Sequence, residues 1–148
     1  MSRRTAKRPK TPARPAPAPV TDASPCPCGL PATYGECCGR LHRGVAEAVT
    51  AEQLMRSRFS AFAVRDAVYL LHSWDPDTRP PGVELDRQLR WVRLEILGGT
   101  DGGAFHSEGT VSFRAHFSDR GETGVMEENS RFRRHEGRWV YLDALPES

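Results

Sequence analysis

The chain has 148 residues, 38% of them hydrophobic, with 21 basic and 19 acidic side chains. That length suits one domain with short appendages, and no apolar run approaches the roughly 20 residues of a membrane-spanning helix. Charge is unevenly spread: residues 1–20 hold six of the basic side chains and no acid, so the remainder keeps 15 bases against 19 acids, a formal net charge of −4.

Residues 1–20, rich in Pro and Ala, read as a disordered basic arm. Nucleic-acid binding would rest on this arm alone, as salt-sensitive, sequence-blind contact with phosphates. The arm lacks the apolar core of a secretory signal, so the expected compartment is the cytoplasm. In a reducing cytosol, clustered cysteines serve as metal ligands rather than disulfides.

Residues 21–46 carry too few apolar side chains to build a core and need a metal to hold a shape. All four cysteines of the chain, Cys26, Cys28, Cys37 and Cys38, fall within thirteen residues here. Four thiolates around one point suit zinc, which takes four ligands at tetrahedral directions with Zn–S near ~2.3 Å. Pro27 restricts the backbone between the first two, and Gly29 lets the chain fold back. Cys38 and His42 would share one face of a helix, which makes His42 a reserve for the fourth ligand. Arg40 and Arg43 are placed to offset the negative charge of the site. A closed all-sulfur site is structural rather than catalytic.

Residues 47–148 carry the folded body. Thr50 and Gln53 form a capping pair, and Leu54, Met55, Phe59, Phe62 and Ala63 follow at helical spacing. Asp66 caps a second short helix, which Asp75-Pro76 ends. Leu85 and Leu89, four apart, predict a third. Beyond Arg90 the period changes to two. Val92, Leu94 and Ile96 alternate in a first strand, and a turn is expected at Gly98, Gly99, Gly102 and Gly103. Val111, Phe113, Ala115 and Phe117 alternate in a second strand. Asp119-Arg120-Gly121 turns into a third strand over about 123–134, and Glu136-Gly137 turns into a fourth, Arg138 to Leu142. Short connections favour an antiparallel meander, and helices followed by strands give an α+β class.

The run C-P-C-G-L-P-A-T-Y-G-E-C-C-G-R resembles the SEC-C motif, the small zinc module at the tail of the SecA translocation motor. Leu54 to Phe62, Tyr69-Leu70-Leu71, Trp74-Asp75-Pro76, Trp91-x-x-Leu94-x-Ile96, Glu128-x-Ser130-Arg131-Phe132 and Gly137-x-Trp139-x-Tyr141-x-Asp143 extend the likeness. Together these blocks, over about 22–143, are similar to the YchJ family of small bacterial proteins. The resemblance implies a zinc module followed by a domain similar to nuclear transport factor 2, a curved antiparallel sheet wrapped around helices to form a cone with a pocket. It implies Cys26, Cys28, Cys37 and Cys38 as zinc ligands and brings no reaction with it. Two features depart from the pattern. No second SEC-C module follows the body, and Leu30, Pro31 and Ala32 stand where the motif carries lysines, which counts against binding the chaperone SecB.

A cone exposes one sheet face to its own cavity, the usual place for a ligand. Glu128 and Ser130 share a strand face, with Arg131 opposite. Trp139 and Tyr141 share a face on the next strand, where Trp91 can join them, and Arg56 and Arg58 flank the first helix. Glu128 with an arginine would make either a ligand-binding acid–base pair or a structural ion pair. Three functions follow from these features: a zinc-stabilised adaptor for a protein partner with a small-molecule pocket, a hydrolase or isomerase using Glu128, or nucleic-acid binding through the arm. Cones of this type often pair through the outer sheet face, so a homodimer is expected by analogy.

Overall fold

The computed structural model describes residues 19–146. The basic arm, through residue 18, lies outside them. The described chain opens with a 3-10 turn, Tyr34–Glu36, and three helices: α1 (Cys38–His42), α2 (Ala51–Val64) and α3 (Ala67–His72). Four strands follow: β1 (Leu89–Asp101), β2 (Glu108–Asp119), β3 (Glu122–His135) and β4 (Arg138–Ala144). They form one antiparallel sheet in chain order, the meander expected. The α+β class read from the sequence is the observed one.

Capping sets the helix starts. Thr50 Oγ1 accepts from the Gln53 amide at 3.1 Å, and Gln53 Oε1 accepts from the Val49 amide at 2.7 Å. Asp66 Oδ1 does the same for α3 through the Tyr69 amide at 2.9 Å. α2 stops at Arg65, in the left-handed region at φ 64°. The α2 face carrying Leu54, Met55 and Phe59 packs on Leu94, Val111, Phe113, Ala115, Phe132 and Trp139 of the sheet, forming the main core.

The two tight hairpins use Arg120-Gly121 and Glu136-Gly137, each with positive φ at both residues. That geometry matches the twist of the strands it joins. The segment after α3 stitches onto the outer edge of β4: the Asp75 amide donates to the Tyr141 carbonyl and the Tyr141 amide to the Ser73 carbonyl, both at 2.8 Å. This covers an edge otherwise open to pairing with another chain.

Three expectations need correction. No helix forms around Leu85 and Leu89; the chain is loop there with a turn at Arg87-Gln88, and Leu89 already pairs with Asp119. The Arg65 guanidinium takes the carbonyls of Asp86, Arg87 and Leu89, the groups a helix would have used. Val92 does not face the core but is 62% exposed. A bulge between Trp91 and Arg93 turns Trp91 inward beside Leu94 instead. Gly98 and Gly99 lie within β1 rather than in a turn. A second bulge falls at Gly98, and a side chain at Gly99 would meet the Thr110 carbonyl oxygen at 2.3 Å, so the strand passes only as glycine.

Candidate metal centre and cavity

The cysteine segment folds back on itself. The Cys26 amide donates to the Ala32 carbonyl at 3.0 Å and the Gly29 amide to the Cys26 carbonyl at 3.1 Å, with Gly29 at φ +91°. Cys38 opens α1. The four sulfur atoms consequently lie within 4.8 Å of one another, and Cys28 Sγ sits 3.6 Å from Cys37 Sγ. No pair is joined as a disulfide. Tetrahedral thiolates at ~2.3 Å from one ion stand about 3.8 Å apart, so this spacing suits a four-sulfur metal site. Burial and the neighbouring Cys28 push the Cys37 thiol up to about 12, and hydrogen bonds to Cys26 and Cys28 push Cys38 up as well. Four sulfurs this close could hold a metal ion.

His42 is engaged elsewhere. Its Nε2–H donates to the Ser57 carbonyl at 2.8 Å, and its Nδ1 accepts from the Tyr34 hydroxyl at 2.5 Å. Burial holds this ring's pKa below its ordinary value, in keeping with a neutral tautomer. The donor set that the described residues bring together is therefore the four sulfurs. Arg43 is also turned aside, to Asp22 and the Gly35 carbonyl.

The cysteine segment and α1 together form a knob, docked on α2 by Arg56 and Ser60. Arg56 Nη1 donates to the Cys28 carbonyl at 2.8 Å while its Nε holds Glu52 at 3.0 Å. Ser60 Oγ lies 3.6 Å from Cys26 Sγ. Arg56 and Ser60 are four apart, so one helix face carries both; that spacing was the available signal.

The adjoining α2 face, with Met55, Arg58, Phe59 and Phe62, lines a cavity of about 190 Å³ against the sheet. Trp91, Glu128, Ser130 and Tyr141 line it as well, so five of the eight pocket candidates come together here. Ser130 Oγ donates to Glu128 Oε2 at 2.6 Å, and the Tyr141 hydroxyl donates to the same oxygen at 3.3 Å. Arg58 is 4% exposed. Its Nη1 donates to the Leu70 carbonyl at 2.8 Å and to Ser73 Oγ at 2.7 Å. Its guanidinium carbon lies 4.9 Å from the Trp74 ring centre and 4.6 Å from that of Tyr141. Burial lowers the Arg58 pKa to about 10, which leaves it a cation at neutral pH.

The expected ion pair between Glu128 and an arginine does not form; two hydroxyls hold the carboxylate instead. The other three candidates lie outside the cavity. Arg56 serves the knob. Arg131 holds Asp143 through two bonds of 2.6 Å on the exposed side of the sheet. Trp139 is core, with its Nε1–H on the Val49 carbonyl and Arg134 stacked 4.5 Å from its ring centre. Trp74, two residues beyond the end of α3, also lines the cavity.

Residues 50–144 match the family described as the YchJ middle NTF2-like domain. The chain belongs to the YchJ family. A UPF0225 protein of Streptomyces avermitilis is 54% identical over 142 residues, covering 96% of this chain and 94% of the relative. A SEC-C motif containing protein from Rhodopseudomonas palustris has a solution structure that superposes with a TM-score of 0.73 at 33% identity, over 83% of this chain and 98% of that one. The crystal structure of one from Psychrobacter arcticus gives 0.69 at 23% identity over 86% of each chain, a likeness of fold. The family match over residues 50–144 covers α2, α3 and the sheet, and the cysteine cluster with α1 precedes it. No helix among the described residues is long and apolar enough to cross a membrane.

Proposed function

We propose that this YchJ-family protein is a zinc-stabilised binding protein. A structural zinc held by Cys26, Cys28, Cys37 and Cys38 stiffens the knob that meets a protein partner, and the body receives a small molecule in its cavity. The observation that carries this reading is the convergence of four sulfurs within 4.8 Å, with the nearest imidazole, His42, tied up in two hydrogen bonds. A site of this kind leaves no coordination position for substrate. Zinc fits the donor set better than harder cations, which favour oxygen. The knob also offers Leu30, 41% exposed, at its tip.

Elemental mass spectrometry of the purified chain tests the metal. One zinc per chain is expected, with loss of that zinc in Cys37→Ser and Cys28→Ser. A metal-free preparation whose knob stays ordered would overturn the reading.

A second reading, a hydrolase or isomerase with Glu128 as acid or base, is favoured by one feature. Both hydrogen bonds found for that carboxylate fall on Oε2, which leaves Oε1 open to a cavity ligand. Turnover of a substrate that Glu128→Gln abolishes without loss of binding would establish it over the first.

A further inference from the structure

Arg58 is a buried cation that the fold leaves on the wall of a cavity. A guanidinium offers five N–H donors, yet the two hydrogen bonds found for it both leave from Nη1, to the neutral acceptors Leu70 O and Ser73 Oγ. It is 96% withdrawn from solvent and makes no direct ion pair among the described residues, although the Glu128 carboxylate of the same cavity lies within reach of its charge. Buried charges are ordinarily paired, because desolvation of an unpaired ion is costly. Arg58 instead borders a cavity, and stacking between Trp74 and Tyr141 fixes its plane without satisfying its remaining donors.

The rest of the wall says what else the occupant must have. Phe59, Phe62, Trp91 and Met126 make it aromatic and apolar. Its volume of about 190 Å³ compares with ~150 Å³ for a cavity that holds benzene, so one six-membered ring and a small substituent fit. Glu128 adds one acceptor oxygen that the protein leaves without a hydrogen bond. An organic cation would suit Glu128 and the rings but would be driven against the fixed charge of Arg58. A carboxylate supplies the direct ion pair that Glu128, held by two hydroxyls, does not make with Arg58, and it can take two of the guanidinium's free N–H groups side by side.

We propose that the cavity binds a small aromatic carboxylic acid, its carboxylate on Arg58, its ring among Phe59, Phe62 and Trp91, and a hydroxyl donor, where present, on Glu128. This rests on the reading of the body as ligand-receiving and is independent of the zinc.

Titration of the zinc-loaded full chain with benzoate, 4-hydroxybenzoate, benzyl alcohol and benzylamine tests it. Calorimetry is the readout, with Trp fluorescence alongside, since Trp74 and Trp91 both line the cavity. Both acids should saturate at one molecule per chain, the hydroxylated acid more tightly, and benzyl alcohol at least about tenfold more weakly than benzoate. Arg58→Met, which keeps the length of the side chain, should lose the acids while keeping whatever affinity the alcohol has. Should that variant fail to fold, Ala115→Leu fills the same cavity from the sheet side and should abolish binding of the acids. Benzylamine binding as tightly as benzoate would overturn the carboxylate assignment while leaving the cavity a ligand site. Failure of all four compounds would overturn both it and the ligand-receiving reading, and undiminished binding of benzoate to Ala115→Leu would place the site elsewhere.

Discussion

Asp75 shows how much one side chain can hold. It is fully buried just before Pro76, pairs with Arg133 on β3 and accepts the Asp77 amide at 2.9 Å. Burial pushes its carboxyl pKa up, but the Arg133 hydrogen bond and the Asp77 amide outweigh that and hold it below the usual carboxylate range. The pair's contribution is therefore present above about pH 4, where an unfolded Asp is ionised, and is lost as pH falls through the lower folded value. Asp75→Asn should cost about 3 kcal/mol at neutral pH, the low end for a broken buried pair because Arg133 keeps some contact with water. The variant should also lose part of the acid sensitivity of the parent. Urea denaturation at pH 7 and at pH 3 measures both; equal losses at the two pH values would contradict this account. The same scale separates the arginines. Arg56 and Arg58 are two apart in sequence, yet one holds a backbone carbonyl of the knob and the other a cavity, because a helix turns by about 200° over that distance.

At the scale of elements, α2 joins everything. One face carries the knob through Arg56 and Ser60, and another packs on the sheet and forms the cavity. Its start rests on Thr50 and Gln53, so Thr50→Ala should lower global stability by about 1 kcal/mol, read as a shifted denaturation midpoint with an unchanged slope. α2, the two hairpin turns and the alternation of β2 are all legible from composition and spacing, since each follows from contacts a few residues long. β1 is not. Its two bulges are set by pairing with β2, and they decide whether Val92 or Trp91 faces the core. Nor is the loop leading into β1, where Arg65 captures the carbonyls of Asp86, Arg87 and Leu89 from a distance in sequence of more than twenty residues.

At the scale of the whole molecule, knob and body differ in what holds them. Cys26, Cys28 and Cys38 with Tyr34 and Cys37 form the knob's own small buried cluster, and only Leu41 of α1 joins the body's Ala61, Tyr69 and Leu70, whereas the body has a continuous core from α2 to β4. Removing the metal should therefore unfold the knob and leave the body. Chelation followed by amide exchange should show protection lost over about 22–44 and kept in β2 and β3. A single cooperative loss of both would mean that knob and body fold as one.

The cysteine spacing, the capping residues and the strand alternation suffice by themselves to indicate a cysteine-rich metal-ligand cluster, its fourth ligand open between Cys38 and His42, followed by an α+β body, because those signals are local and each residue type has little choice of role. Tertiary structure alone decided that Glu128 is held by hydroxyls rather than by an arginine, that the four sulfurs converge while His42 bonds Tyr34 and Ser57, and that Arg58 is buried beside a cavity without a direct ion pair. Such outcomes depend on which side chains meet across α2 and the sheet, and a linear pattern carries no record of which groups compete for the same charge.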